Sequence, residues 1–368
     1  MRVFHKILIL LIVTVTLLVL YYAFETEDFG ELYISVRSSR INGNATYNQS
    51  QRLGLLEISS SMNKSYNISV IANNRTNYYN VWCIFTKVTY NAPLKEKFKT
   101  FTYSLVKKSS VDISYHVITD NSSKNVAEDI IGNVRKTTSK LLEVTYYDAG
   151  RLAHQLTDIV TAMQPHFSSQ PGTYYSDALF FLSLGLHHIA ANQSRAAMFD
   201  ADTKLLADVA ELFRHFDSFN NTTLFGVAPE LTPVYRHVLY VYRSKHKNTR
   251  FGEPFSKGGF PGINSGVMLL HLDHMRNSQK YNELLKPASV DELAAKYHFQ
   301  GHLGDQDFYT LLAMEHPEMI HLLPCGWNRQ LCTWWRDHGY QEVFTAFFRC
   351  ADTVRLYHGN CNTPMPTS

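Results

Sequence analysis

Between Asn80 and Tyr147, compact apolar runs alternate with stretches of helical spacing, and that alternation leaves few folds open. Val81-Trp82-Cys83-Ile84-Phe85-Thr86 is a short apolar run, the pattern of a buried strand. Lys95 to Val106 carries helical spacing, and Val111 to Ile118 reads as a second strand. A helix follows from about Val126, and Leu142 to Tyr147 completes the series. Strand, helix, strand, helix, strand predicts a parallel sheet with right-handed crossovers, the usual base for nucleotide binding. The fold class is therefore α/β with a Rossmann-like core. At 368 residues the chain can bury a large core in one or two domains.

Two further helical patterns, Ala153–Met163 and Ser176–Ile189, lead to Asp200-Ala201-Asp202. Leu205, Leu206, Val209, Leu212, Phe213 and Phe216 recur at spacings of three and four, so a helix is expected after the triplet. Side chains two apart on an extended segment point the same way, so Asp200 and Asp202 can converge on one cation. Carboxylate oxygens suit hard ions such as magnesium, manganese or calcium. The same triplet would also serve as a solvated turn with a helix N-cap. Phe225 to Ala228 reads as another strand.

Residues 250–266 are loop-like and glycine-rich, but no Gly-Lys-Ser/Thr closes them, so this is not a Walker loop. Asn264-Ser265-Gly266 then enters the buried strand Val267-Met268-Leu269-Leu270, and either offers Asn264 and Ser265 to a ligand or forms a simple turn. Gly304-Asp305-Gln306-Asp307 precedes a helical face of Phe308, Leu311 and Leu312, with Asp305 as candidate N-cap. His358, beside Gly359, is a candidate third metal ligand or a structural histidine.

Ile7 to Phe24 is free of charge and long enough to nearly span a bilayer core. Arg2 and Lys6 precede it, whereas Glu25, Glu27 and Asp28 follow. That asymmetry predicts a cytoplasmic tail at 1–6, a signal anchor at 7–24 and a body across the membrane. No small-x-small cleavage site follows the apolar run. Residues 25–79 are polar and read as a glycosylated stem. Asn-x-Ser/Thr triplets begin at Asn44, Asn48, Asn63, Asn67, Asn74, Asn121, Asn192, Asn220 and Asn221, most of them in this stem. Cys325, Cys332, Cys350 and Cys361 fall in one C-terminal stretch without a C-x-x-C pair, which predicts two disulfides with three possible pairings. A net charge of +3 gives no footprint for nucleic acid.

Taken in order, Asp200-Ala201-Asp202, Asn264-Ser265-Gly266-Val267, Gly304-Asp305-Gln306-Asp307 and His358-Gly359 resemble the family-8 retaining glycosyltransferases with a GT-A fold. Within them the chain is similar to the xyloside xylosyltransferases. The runs Pro233–His237, His302–Phe308, Trp327–Tyr340 and His358–Pro364 carry that closer likeness, which covers roughly Asn80 to the C-terminus.

The resemblance implies a single GT-A domain over 80–368. Asp200, Asp202 and His358 would hold manganese, with magnesium as substitute. UDP-xylose would be the donor. Phe85-Thr86-Lys87 would hold its uridine end, Ala201, Asn264 and Ser265 would line it, and Asn360 would sit beside the diphosphate. Gln306 and Asp305 would act at the reacting sugar by same-face transfer, with Asp305 or Asp307 as covalent nucleophile the minority route.

His237, Val238, Leu239, Tyr240, Trp335 and Asn360 would contact the acceptor, implied to be xylosyl-glucose on EGF repeats of Notch-type glycoproteins. The disulfides would join Cys325 to Cys350 and Cys332 to Cys361, and the enzyme would reside in the endoplasmic-reticulum membrane. A family-8 glucosyl- or galactosyltransferase, or a membrane-anchored lectin-like protein without turnover, are the rival readings.

Overall fold

The computed structural model describes residues 79–88, 93–169 and 178–366. The expected anchor, almost all of the stem and the five sequons from Asn44 to Asn74 lie outside the described residues. No helix among the described residues is long and apolar enough to cross a membrane.

A seven-stranded sheet forms the centre, in the order β3-β2-β1-β4-β7-β6-β8. Its strands are β1 (Tyr79–Phe85), β2 (Ile113–Thr119), β3 (Leu142–Asp148), β4 (Ala196–Phe199), β6 (Phe225–Pro229), β7 (Ile263–Leu270) and β8 (Ile320–Leu322). A small second sheet takes the order β5-β10-β9, from β5 (Thr203–Leu205), β9 (Arg329–Gln330) and β10 (Leu356–His358).

The first half follows the expected pattern: β1 pairs in parallel with β2 and β4, and β2 with β3. Alternation along β1 sends Val81, Cys83 and Phe85 into one core cluster and Trp82 into another, so both faces are covered. Trp82 stacks on His116 at 4.5 Å and donates from Nε1 to Gln193 Oε1 at 3.0 Å, which satisfies its buried N–H. Losing that side chain would cost about 3–5 kcal/mol.

The crossover helix Asn121–Arg135 starts at Asp120, whose Oδ1 accepts from the Ser123 amide at 2.7 Å. Asp120 Oδ2 also accepts from the Lys87 amide at 2.5 Å, tying the end of β1 to that of β2.

Beyond the strands that this pattern covers, one strand is reversed. β7 runs antiparallel to both β4 and β6, so the sheet is mixed. The helix expected to run from Leu205 to Phe216 is shorter. Leu205 lies in β5, where it pairs with Leu356, and the helix is Val209–Phe213 followed by a 3-10 turn. The Ala153–Met163 pattern is two helices, Ala149–Gln155 and Thr157–Phe167, broken at Leu156.

From Ala178 to Gly185 the chain is 3-10 helix rather than α, and only Leu186–Ile189 is α-helical. Asn264, Ser265 and Gly266 lie within β7, not in a turn before it. Asp305 is the first residue of the helix Asp305–Glu315, and Gly304, at φ 68°, takes the cap position.

Candidate active site

Asp200 and Asp202 follow β4, between its parallel neighbour β1 and the one reversed strand β7, at the strand ends where open α/β sheets bind ligands. The Asp200 amide donates to Gly266 O at 2.9 Å, extending the β4–β7 ladder by one residue. The chain then turns directly into β5, whose antiparallel ladder with β10 sets Thr203 opposite His358. The Gly359 amide donates to Asp202 O at 2.8 Å. A three-residue ladder thus brings side chains more than 150 positions apart to one point.

At that point His358 Nε2 lies 3.4 Å from Asp200 Oδ2 and 3.3 Å from Asp202 Oδ1. One ligand atom from each of the three residues falls within 4.8 Å of the others. Asp200 is exposed, Asp202 half-buried and His358 buried. Burial pushes the His358 ring down, but Asp202 and then Asp200 outweigh it and raise it to about 10. Burial pushes the Asp202 carboxyl up, and the His358 and Lys97 cations reverse this and hold it below the usual range. Lys97 Nζ lies 3.5 Å from Asp202 Oδ2 and donates to Gly359 O at 3.0 Å.

This residue set fits a divalent cation. His358 Nδ1 faces Asn328 Oδ1 at 3.0 Å, so in the neutral ring the proton stays on Nδ1 and the Nε2 lone pair is turned toward the carboxylates. Two carboxylates and one imidazole form a mixed oxygen and nitrogen set that suits manganese better than calcium.

Gln306 is buried beside this centre. Its Oε1 accepts from the Ser265 amide at 3.3 Å, and its Nε2 reaches Tyr235 Oη at 3.2 Å and Glu230 Oε2 at 3.4 Å. Asp305 takes hydrogen bonds from Ser265 Oγ at 3.0 Å and Ser183 Oγ at 2.5 Å. Desolvation pushes Asp305 up to about 7, helped by Asp200. Asp307 is likewise pushed up to about 7 by burial, and its two oxygens accept from Tyr235 Oη at 3.0 Å and the Leu303 amide at 2.7 Å.

The residues expected to bind the donor divide. Phe85 is buried, its ring 4.0 Å from that of Phe98, so its side chain belongs to the core. Thr86 and Lys87 continue from the strand end, with Lys87 in a left-handed conformation at φ 57°. Ala201 is buried under the Asp-x-Asp turn. Asn264 points inward, donating from Nδ2 to Glu230 Oε2 at 2.9 Å. Asn360 Oδ1 accepts from the Leu331 and Cys332 amides at 3.1 and 3.0 Å, holding the β9–β10 end together.

The residues expected to bind the acceptor divide too. His237 packs on Trp335 at 5.4 Å and pairs with Tyr340 Oη at 2.7 Å, and Tyr240 is exposed. Val238 and Leu239 are buried, so their side chains do not offer a surface. The pairs Cys325–Cys350 and Cys332–Cys361 are both formed. The second joins β10's exit to the residues after β9, bracing His358.

Sequence reasoning missed Glu230, Asn328 and Lys97. Asn328 stood inside a distinctive run, but Glu230 and Lys97 carried no local signal, because their roles arise only from tertiary contacts.

No family model matches the chain. It is 45% identical to mouse Xyloside xylosyltransferase 1 over 294 residues, 78% of this chain and 75% of the relative. The human Xyloside xylosyltransferase 1 is equally similar, at 45% over 294 residues, 78% of this chain and 75% of the relative. The crystal structure of the mouse protein in its apo form superposes with a TM-score of 0.74, covering 78% of this chain and 99% of that one. The architecture is accordingly a GT-A glycosyltransferase fold.

Proposed function

This chain belongs to the xyloside xylosyltransferase family, and from that premise we propose that it moves xylose from UDP-xylose to the xylose of xylosyl-glucose on EGF repeats, with retention. The convergence of Asp200, Asp202 and His358 carries this reading, since a diphosphate leaving group needs concentrated positive charge. Bound by those three residues, manganese would supply Lewis-acid neutralisation of the departing UDP, with magnesium as substitute.

The chain's own groups account for the rest. Lys97 holds a cation beside Asp202, where it adds fixed positive charge next to the diphosphate. Ser265 and Ala201 border the donor, and the strand end at Thr86 and Lys87 lies toward its uridine. Each oxygen of Asp305 and Asp307 already accepts a hydrogen bond, and Gln306 is an amide held at both ends. A poor nucleophile and two engaged carboxylates favour same-face attack, in which the leaving phosphate oxygen takes the acceptor's proton. His237, Trp335 and Tyr340 pack as one aromatic cluster and Tyr240 is exposed, and such rings suit sugar C–H surfaces.

Paired disulfides and the sequons support a lumenal body anchored by 7–24 in the endoplasmic-reticulum membrane. The test offers the full chain several UDP-sugars with manganese and a xylosyl-glucosyl EGF repeat. Transfer from UDP-xylose giving an α-linked product is expected. Transfer from UDP-glucose but not UDP-xylose would overturn the donor assignment.

A further inference from the structure

We propose that Glu230 is a positioning residue that fixes the direction of a buried amide chain and, through it, the ring of His358 as a metal ligand. The inference rests on the metal reading above and adds to it a part of the molecule that touches neither ion nor sugar.

The chain runs Glu230, Asn264, Asn328, His358, and all four side chains are buried. Asn264 Nδ2 donates to Glu230 Oε2 at 2.9 Å. Asn328 Nδ2 donates to Asn264 Oδ1 at 2.8 Å, and Asn328 Oδ1 faces His358 Nδ1 at 3.0 Å. A carboxamide has a donor end and an acceptor end of nearly equal size, so a run of amides alone could point either way. Groups of single polarity must break the tie.

Glu230 does so at the far end. As a carboxylate it only accepts, taking the Thr232 amide at 2.8 Å on Oε1 and Asn264 and Gln306 on Oε2. The Gly266 amide, which only donates, reads the other end of Asn264 at 3.1 Å. With Asn264 set, Asn328 must present its NH2 to Asn264 and its oxygen to His358. The neutral imidazole then carries its proton on Nδ1 and keeps Nε2 for the cation. Reversing the run would set Asn328's NH2 against Nδ1, move the proton to Nε2 and remove the ligand atom. The same carboxylate also holds Gln306, so one acid orients both the metal ligand and the amide at the reacting sugar.

Glu230→Gln disturbs this with little change of shape. An amide at position 230 has one oxygen: set toward Thr232 it turns its NH2 on the donors Asn264 and Gln306, and set toward those two it turns its NH2 on the Thr232 amide. Adding Asn264→Asp moves the acid one place along the chain. That acid accepts from the new amide at 230, from Gly266 and from Asn328, and restores every polarity up to His358. A merely structural role for Glu230 would not be rescued this way.

The experiment titrates the full-length metal-free protein with Mn2+, following the signal of the free ion by electron paramagnetic resonance. E230Q should bind at least about tenfold more weakly than wild type. E230Q/N264D should return to within about threefold of wild type. Unchanged binding by E230Q, or a double variant no tighter than the single one, overturns the proposal. Should E230Q fail to fold, the double variant decides alone: binding near wild type supports the relay, and weak binding contradicts it. A wild-type protein that binds no Mn2+ would sink the metal reading itself, a result distinct from failure of the relay.

Discussion

Gly266 leaves the space that the His358 imidazole fills: a Cβ built on Gly266 would stand 2.2 Å from His358 Cε1 and 2.6 Å from Nδ1. The backbone of β7 therefore forms one wall of the candidate metal centre. Its glycine is required for close approach rather than for an unusual backbone angle.

Gly266→Ala should push the ring away from Asp200 and Asp202. The expected result is Mn2+ binding at least about tenfold weaker, by loss of a ligand's position. Overpacking would lower stability by about 1–3 kcal/mol. Isothermal titration and urea unfolding read the two effects. Full metal affinity in this variant would show that the ring does not depend on Gly266.

Metal binding should release a proton. In the metal-free protein the His358 ring is raised to about 10, so at neutral pH it carries a charge it must lose to coordinate through Nε2. Between pH 6 and 8, roughly one proton should leave per ion bound, and affinity should climb with pH. Calorimetry in two buffers of different ionisation enthalpy measures the number. The sign for folding is opposite. The ring's contact with the acids stabilises the metal-free protein fully below its ordinary value of 6.5, and this is lost as pH rises through about 10. Zero proton release would contradict a neutral imidazole ligand.

The two disulfides should differ in function. Cys332–Cys361 closes 29 residues and Cys325–Cys350 closes 25, so removing either should cost about 3–4 kcal/mol of stability. Cys361 lies three residues past His358, and the Gly359 amide and Asn360 side chain between them tie to Asp202 and to Leu331 and Cys332. Replacing Cys332 and Cys361 by serine should therefore weaken Mn2+ binding, whereas replacing Cys325 and Cys350 should leave it nearly unchanged. Equal effects on the metal would remove the distinction.

Much of the frame was legible because it depends on local pattern. The runs around Val81, Val117 and Val144 gave β1 to β3, and Asp120 and Asp148 cap the helices that follow. The antiparallel placing of β7 was not legible, since an all-apolar run such as Val267–Leu270 gives no direction. Leu205 and Leu206 continue a helical spacing, yet the ladder to Leu356 won because β5 pairs with a strand 150 residues away.

At the site, Asp200, Asp202 and His358 stood out as residue types, and their family likeness grouped them. Nothing in the sequence near Glu230 or Lys97 distinguishes a buried network acid or amine from a solvated one, and the distinctive run that holds Asn328 does not reveal its partners. The resemblance placed Val238 and Leu239 beside His237 as acceptor contacts, and both side chains are buried at the end of the helix Val234–Val238.

The most direct measurement is an anomalous difference map from crystals of the protein grown with Mn2+ and UDP. A single manganese peak coordinated by Asp200, Asp202 and His358 Nε2 is predicted, with the Nδ1 side of the ring still on Asn328. A peak bound elsewhere, or one that leaves His358 paired with the two carboxylates, would contradict the account.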